Sequence, residues 1–157
     1  MINPVEIKQQ VYEHCQNYVL DLIKRAQHGL HEAQQEANRE QKSSAGDKFE
    51  THRAMMHLQM ESFLSRLHVA QELDRQLHLV SLHPTSSISL GSLVVTDQGC
   101  FFIAISAPAY PIQGQEYVCL STQAPFYKAM HGLEVGDWIE WSSSGNENEE
   151  IEILALY

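Results

Sequence analysis

Lys42-Ser43-Ser44-Ala45-Gly46-Asp47-Lys48-Phe49-Glu50 lies where two long stretches of helical periodicity meet. Its serines and glycine suit a turn, and Ser44 can cap a second helix with Asp47 three residues on. A short connection between helices favours antiparallel neighbours, so this stretch decides the fold of the first half: a helical hairpin with the quoted residues at its tip. Asp47 and Glu50 are separated by close to one helical turn. Both carboxylates can face the same way and share one hard cation.

Outward from the tip, Val11, Cys15, Tyr18, Leu22, Ala26, Leu30, Ala33 and Ala37 recur at intervals of three and four, the stripe of an amphipathic helix expected over Val5 to Ala37. On the other side Met56, Met60, Phe63, Leu67, Ala70, Leu73 and Leu77 form a second stripe, expected as a helix over Asp47 to Leu79 that stops before Pro84. Each helix would be about 50 Å long at the standard rise per residue. The same stripes also fit a coiled-coil spacer or dimerisation arm, because apolar stripes serve packing in general.

After Pro84 the period changes. Ile88 to Thr96, Cys100 to Ser106, Glu116 to Ser121, Trp138 to Trp141 and Glu150 to Leu156 are short runs rich in β-branched and aromatic residues, which read as strands. Thr96-Asp97-Gln98-Gly99 suits a hairpin turn, Ser142 to Asn146 a longer one, and Pro125 to His131 a short helix ended by Gly132. The fold class expected is α+β: an antiparallel coiled-coil hairpin over residues 1–83, then over 84–157 a small domain with an antiparallel sheet and one short helix.

Charge narrows the function. The net charge is −10, and residues 84–157 hold one basic residue against nine acidic ones. Such a chain repels a phosphate backbone, so autonomous nucleic-acid binding is disfavoured and contact with RNA or DNA would need a partner protein. Cys15, Cys100 and Cys119 are odd in number and form no CxxC pair, which fits a reducing compartment; Cys15 lies on the apolar face of its helix and reads as a core residue. The first residues have neither a basic nor an apolar leader segment, and no stretch approaches the length needed to span a bilayer. The expectation is a cytoplasmic protein without a membrane role.

In its residues the chain resembles the Gre-type transcript-cleavage factors of bacterial RNA polymerase. That family joins an N-terminal antiparallel coiled coil to a C-terminal domain of FKBP-like fold. Its tip motif, Gly-Asp-x-Ser-Glu-Asn-Ala-Glu-Tyr, is matched here by Gly46, Asp47 and Glu50. Its second-domain features are echoed by Ala124-Pro125, Ala129, Gly132, Gly136-Asp137 and the closing run from Ile151 to Tyr157. The resemblance implies a factor that binds RNA polymerase, inserts the tip into the secondary channel and uses Asp47 and Glu50 to help hold a second Mg²⁺ beside the polymerase's own metal. Two such cations about 4 Å apart can activate water for in-line phosphoryl displacement. The catalytic and metal roles implied for Asp47 and Glu50 therefore exist only in the complex, and the protein is not itself an enzyme. The sequence also departs from the motif. Phe49 stands for the serine, Thr51 for the asparagine and Arg53 for the second glutamate, so this tip is less acidic and more apolar. Two modes stay open: stimulating cleavage, or modulating the active centre without it. The alternative from another class is a coiled-coil interaction module without cleavage activity.

Other groupings carry less. His28 and His31 have helical ligand spacing but no third ligand, and His52 and His57 lack even the spacing. Ser43-Ser44 has no base beside it and reads as turn chemistry. Trp138, Trp141, Phe126 and Tyr127 could line a peptide groove. Strand alternation, however, sends Trp138 to the side of Glu140 and Trp141 to the side of Ile139, which makes Trp141 a core residue. Prolyl isomerase activity is not expected.

Overall fold

Asn3 and Pro4 start the first helix. Proline fits the first helical position, where no N–H partner exists, and the Asn3 side-chain oxygen accepts from Val5 N at 3.1 Å as an N-cap. In the computed structural model of the protein, residues 2–40, 47–143, 145 and 147–157 are described, the side chains of Glu40 and Asp47 excepted. The helices are α1, Pro4–Glu40, and α2, Asp47–His78. The expected turn at Ser43, Ser44 and Gly46, with its Ser44 cap, lies outside the described residues, as do Ser144 and Asn146 of the later turn.

The chain divides into two compact units, Asn17–Arg75 and Met1–Gln16 with Gln76–Tyr157. Within Asn17–Arg75 the helices run antiparallel, as expected. Ala37 and Asn38 share a cleft with Phe49 and Met56, Gly29 meets Phe63, and Leu22 lies with Phe63 and Arg66, so one number falls as the other rises. The buried seam is made largely of small residues, Ala26, Ala33 and Ala70, together with Val19 and Met56. Phe63 and Leu67 are only half-buried. Gly29 has a specific reason: a Cβ there would come within 2.2 Å of the Phe63 ring. Glycine costs a helix interior about 1 kcal/mol, and here that cost makes room for an aromatic ring.

The other unit is built on a six-stranded sheet. Its strands are β1 Leu93–Thr96, β2 Gly99–Ala104, β3 Ala107–Ile112, β4 Gln115–Ser121, β5 Trp138–Trp141 and β6 Glu149–Leu156, with one helix, α3 Pro125–Met130, after β4. The order across the sheet is β3-β4-β2-β1-β6-β5. Asp97 and Gln98 form the expected tight turn, with Thr96 opposite Gly99. Two features differ from the sequence expectation. The sheet is mixed, because β2 and β4 pair in parallel while every other pairing is antiparallel. The cause is β3: the chain reverses after β2, runs out as β3, reverses again and inserts β4 between them, so β4 regains the direction of β2. That second reversal is a two-residue turn with Gln113 and Gly114 both at positive φ, the geometry that matches strand twist. The run from Ile88 shortens to β1, since Ile88 bonds instead to the end of α3, with Ile88 N donating to Leu133 O at 2.8 Å and Gly132 N to Ile88 O at 2.9 Å.

Both faces of the sheet are covered. On one, α3 sets Tyr127 and Met130 against Val94, Ile103, Ile139, Ile151 and Ile153, with Leu120 packed beside them. The residue before Leu120 must face the other way. That residue is Cys119, and it meets Cys15 of α1. The same stretch of α1 is tied down by Tyr12 Oη, which donates to Leu77 O at 3.1 Å, and by His14, whose Nε2 is 2.8 Å from Pro108 O and whose ring stacks on Tyr110. On β5 and β6, Trp138 stands opposite Glu152 and Glu140 opposite Glu150, all turned away from the buried Ile139 and Ile151 pair. Among the described residues, no helix is long and apolar enough to cross a membrane.

Burial separates two leucines of the second stripe. Leu77 is 1% exposed, whereas Leu67 is half-buried. Leu77→Ala should cost about 2–5 kcal/mol in chemical denaturation, and Leu67→Ala clearly less. Equal costs would show that the seam around Leu67 is as tightly packed as that around Leu77.

Candidate functional site

Asp47 is the first residue of α2 and Glu50 the fourth, so the backbone sets them in one helical turn where the second helix begins. The Glu50 side chain is exposed; the Asp47 carboxylate lies outside the described residues. A helix N-terminus itself favours acidic residues through its dipole, so the position needs no ligand to be stable. As donors, two carboxylates in one turn match a hard divalent cation completed by water and phosphate oxygens, and they fall short of an all-protein cage. Among the described residues, no group of three or more His, Cys, Asp or Glu side chains is placed to hold a metal. His28 instead pairs with Glu32 at 3.2 Å on an exposed face.

Phe49 and Arg53, two of the departures from the resembled motif, lie where the helices meet. Phe49, His52 and Arg53 line a cleft of about 180 Å³ with Met56, His57 and Met60 of α2 and Gln34, Ala37 and Asn38 of α1. A serine in place of Phe49 would surrender apolar contact with α1 at this end of the helices. The sequence expectation placed Met56 and Met60 on the seam but missed that Phe49, His52 and Arg53 line the cleft beside it; the signal is their spacing of seven, four and three residues ahead of Met56.

In the sheet unit the aromatic residues sort as alternation requires. Trp141 is half-buried and meets Phe126 edge-on at 5.0 Å, and Phe126 meets Phe101 at 4.9 Å, so these rings extend the core. Trp138 is 53% exposed. Tyr127 Oη is 2.8 Å from His131 Nδ1, and burial pushes its phenol upward.

One buried titratable group gave no sequence signal. Lys8 lies within the first apolar turns of α1 and is 2% exposed, its Nζ donating to His83 O at 3.2 Å and Tyr157 O at 3.0 Å. Burial lowers its pKa to about 8.

No protein-family model and no curated protein matches the chain. Solved structures similar to it include a GreA factor homolog, Gfh1, of Thermus thermophilus, at 18% identity over 93% of this chain and 94% of that one, with a TM-score of 0.34. A second structure, of the transcription factor Gfh1, has 18% identity over 93% and 92% of the two chains, with a TM-score of 0.37. The transcription elongation factor GreA/GreB of Nitrosomonas europaea has 20% identity over 55% of this chain and 78% of its own, with a TM-score of 0.34.

Lys8 gives a pH signature. Its folded pKa is below the unfolded value, so between about pH 8 and 10.5 the unfolded chain binds more protons and stability contributed by this group rises with pH. The stability of the wild type relative to Lys8→Met should therefore improve across that window, by about 3 kcal/mol at most. Parallel pH curves for the two proteins would place the Lys8 ammonium in contact with water.

Proposed function

We propose that this chain is an RNA polymerase-binding elongation factor that acts at the polymerase active centre through the end of its helical hairpin. The observation that carries the reading is the position of Asp47 and Glu50 in the first turn of α2, at the connected end of two antiparallel helices of 37 and 32 residues. The tip resemblance at Gly46, Asp47 and Glu50 and the sheet domain that follows the hairpin support it. The partner is RNA polymerase. Association with RNA comes through that partner, since the chain is too acidic to hold RNA alone.

Within the complex, Asp47 and Glu50 would help hold a Mg²⁺ shared with the polymerase, and that ion supplies charge stabilisation for phosphoryl displacement. The chain's contribution is to carry and orient the carboxylates. Phe49 and Arg53 flank Glu50 in sequence and line the cleft shared by α1 and α2. Either outcome at the active centre, stimulated cleavage or modulation without cleavage, uses the same end of the hairpin. A coiled-coil interaction module without cleavage activity is the second reading; the long apolar seam alone would serve it equally.

Co-purification with RNA polymerase is expected for the wild type and for Asp47→Ala and Glu50→Ala, because both residues lie in the first turn of α2 and Glu50 is exposed. In stalled elongation complexes with Mg²⁺ and saturating factor, the wild type should stimulate RNA cleavage and both variants should lose that stimulation. Variants that cleave like the wild type would refute the metal role. A wild type that binds without stimulating cleavage would assign modulation, and one that fails to bind polymerase would assign the interaction module.

A further inference from the structure

Cys15 and Cys119 are 104 residues apart in sequence, yet their sulfurs lie 3.7 Å apart in the covered face between α1 and β4. Both are free thiols, at 0% and 4% exposure. Buried free cysteines ordinarily act as small apolar residues, and a single one would carry nothing more. Two sulfurs in van der Waals contact differ, because a disulfide needs only that the gap close to about 2.05 Å, a movement within reach of rotation about the two Cα–Cβ bonds. The surrounding contacts hold the partners in place. His14, the residue before Cys15, is fixed to Pro108 and Tyr110 of β3, while β3 pairs with β4 and sets Ala107 opposite Cys119. Lys8 and Tyr12 anchor the preceding turns.

We propose that Cys15 and Cys119 form a reversible disulfide site that clasps the start of α1 to the sheet when the protein meets a peroxide. The step balances with hydrogen peroxide as oxidant. The Cys119 thiolate attacks one peroxide oxygen and releases hydroxide, leaving a sulfenic acid; the Cys15 sulfur then displaces the sulfenic hydroxyl, and its proton completes a second water. Two thiols are oxidised to one disulfide while one peroxide is reduced to two waters, and an added dithiol reverses it by exchange. The roles follow from the shared hydrogen bond: donation to Cys119, with burial, pushes the Cys15 thiol up, and receiving that hydrogen bond favours the thiolate of Cys119. Cys100, on β2, is buried and its thiol is raised by burial, which makes it the slower competitor. The inference is independent of any polymerase role.

The full chain treated with hydrogen peroxide should lose the mass of two hydrogens, yield a peptide linking Cys15 to Cys119 on non-reducing digestion, and keep Cys100 open to alkylation after denaturation. Its unfolding midpoint should rise by several degrees and return on treatment with dithiothreitol. Cys100→Ser should retain the cross-link, and Cys15→Ser and Cys119→Ser should each lose it; if either serine variant fails to fold, the wild-type peptide map still decides. A link through Cys100, a disulfide between two chains, stepwise oxygen addition without a cross-link, or no reaction at all would overturn the proposal.

Discussion

The parallel pairing of β2 with β4 is the constraint on which the sheet unit depends. Antiparallel neighbours can be joined by a tight turn, but a parallel pair needs a connection that carries the chain back. Here β3 is that connection, at the edge of the sheet. The arrangement fixes the rest: β4 becomes an interior strand, Leu120 joins the core beneath α3, and Cys119 faces α1. With β4 at the edge, the sulfur of Cys15 would lack its partner, and the stacking of His14 on Tyr110 would lack its strand.

Much of this was legible in the sequence, and the failures have physical causes. Both long helices announce themselves through uninterrupted stripes, and the structure extends α1 only by Pro4 at its start and three residues at its end. The strands other than β3 are recognisable from β-branched and aromatic runs. β3 is not, because Pro108 and Pro111 sit inside it; proline is excluded from central strands but tolerated on an edge, and the edge is where β3 lies. The mixed sheet follows from that omission, since a missing strand hides one reversal of the chain. Tight packing at Gly29, the buried Lys8 and the contact of Cys15 with Cys119 each depend on partners far away in sequence, and no local pattern encodes them.

For the candidate site, the position of Asp47 and Glu50 in the first turn of a helix was readable from Gly46 onward. What the sequence did not yield was the role of the departures. Phe49 and Arg53 looked like losses against the family pattern, yet in the folded chain they line the cleft shared by α1 and α2. Phe49 thus brings an aromatic ring to the junction of the helices, and Arg53 a cation where the pattern has an acid.

The facing glutamates of β5 and β6 have an effect on how copies of this protein coexist. Glu140 and Glu150 stand directly opposite each other, with Glu152 beside them across from Trp138, and β5 is an edge of the sheet. Like charges in register weaken the hairpin itself. They also make that edge repel an identical edge from another molecule, where exposed Trp138 would otherwise invite adhesion. The protein gives up a little local strand stability for colloidal solubility.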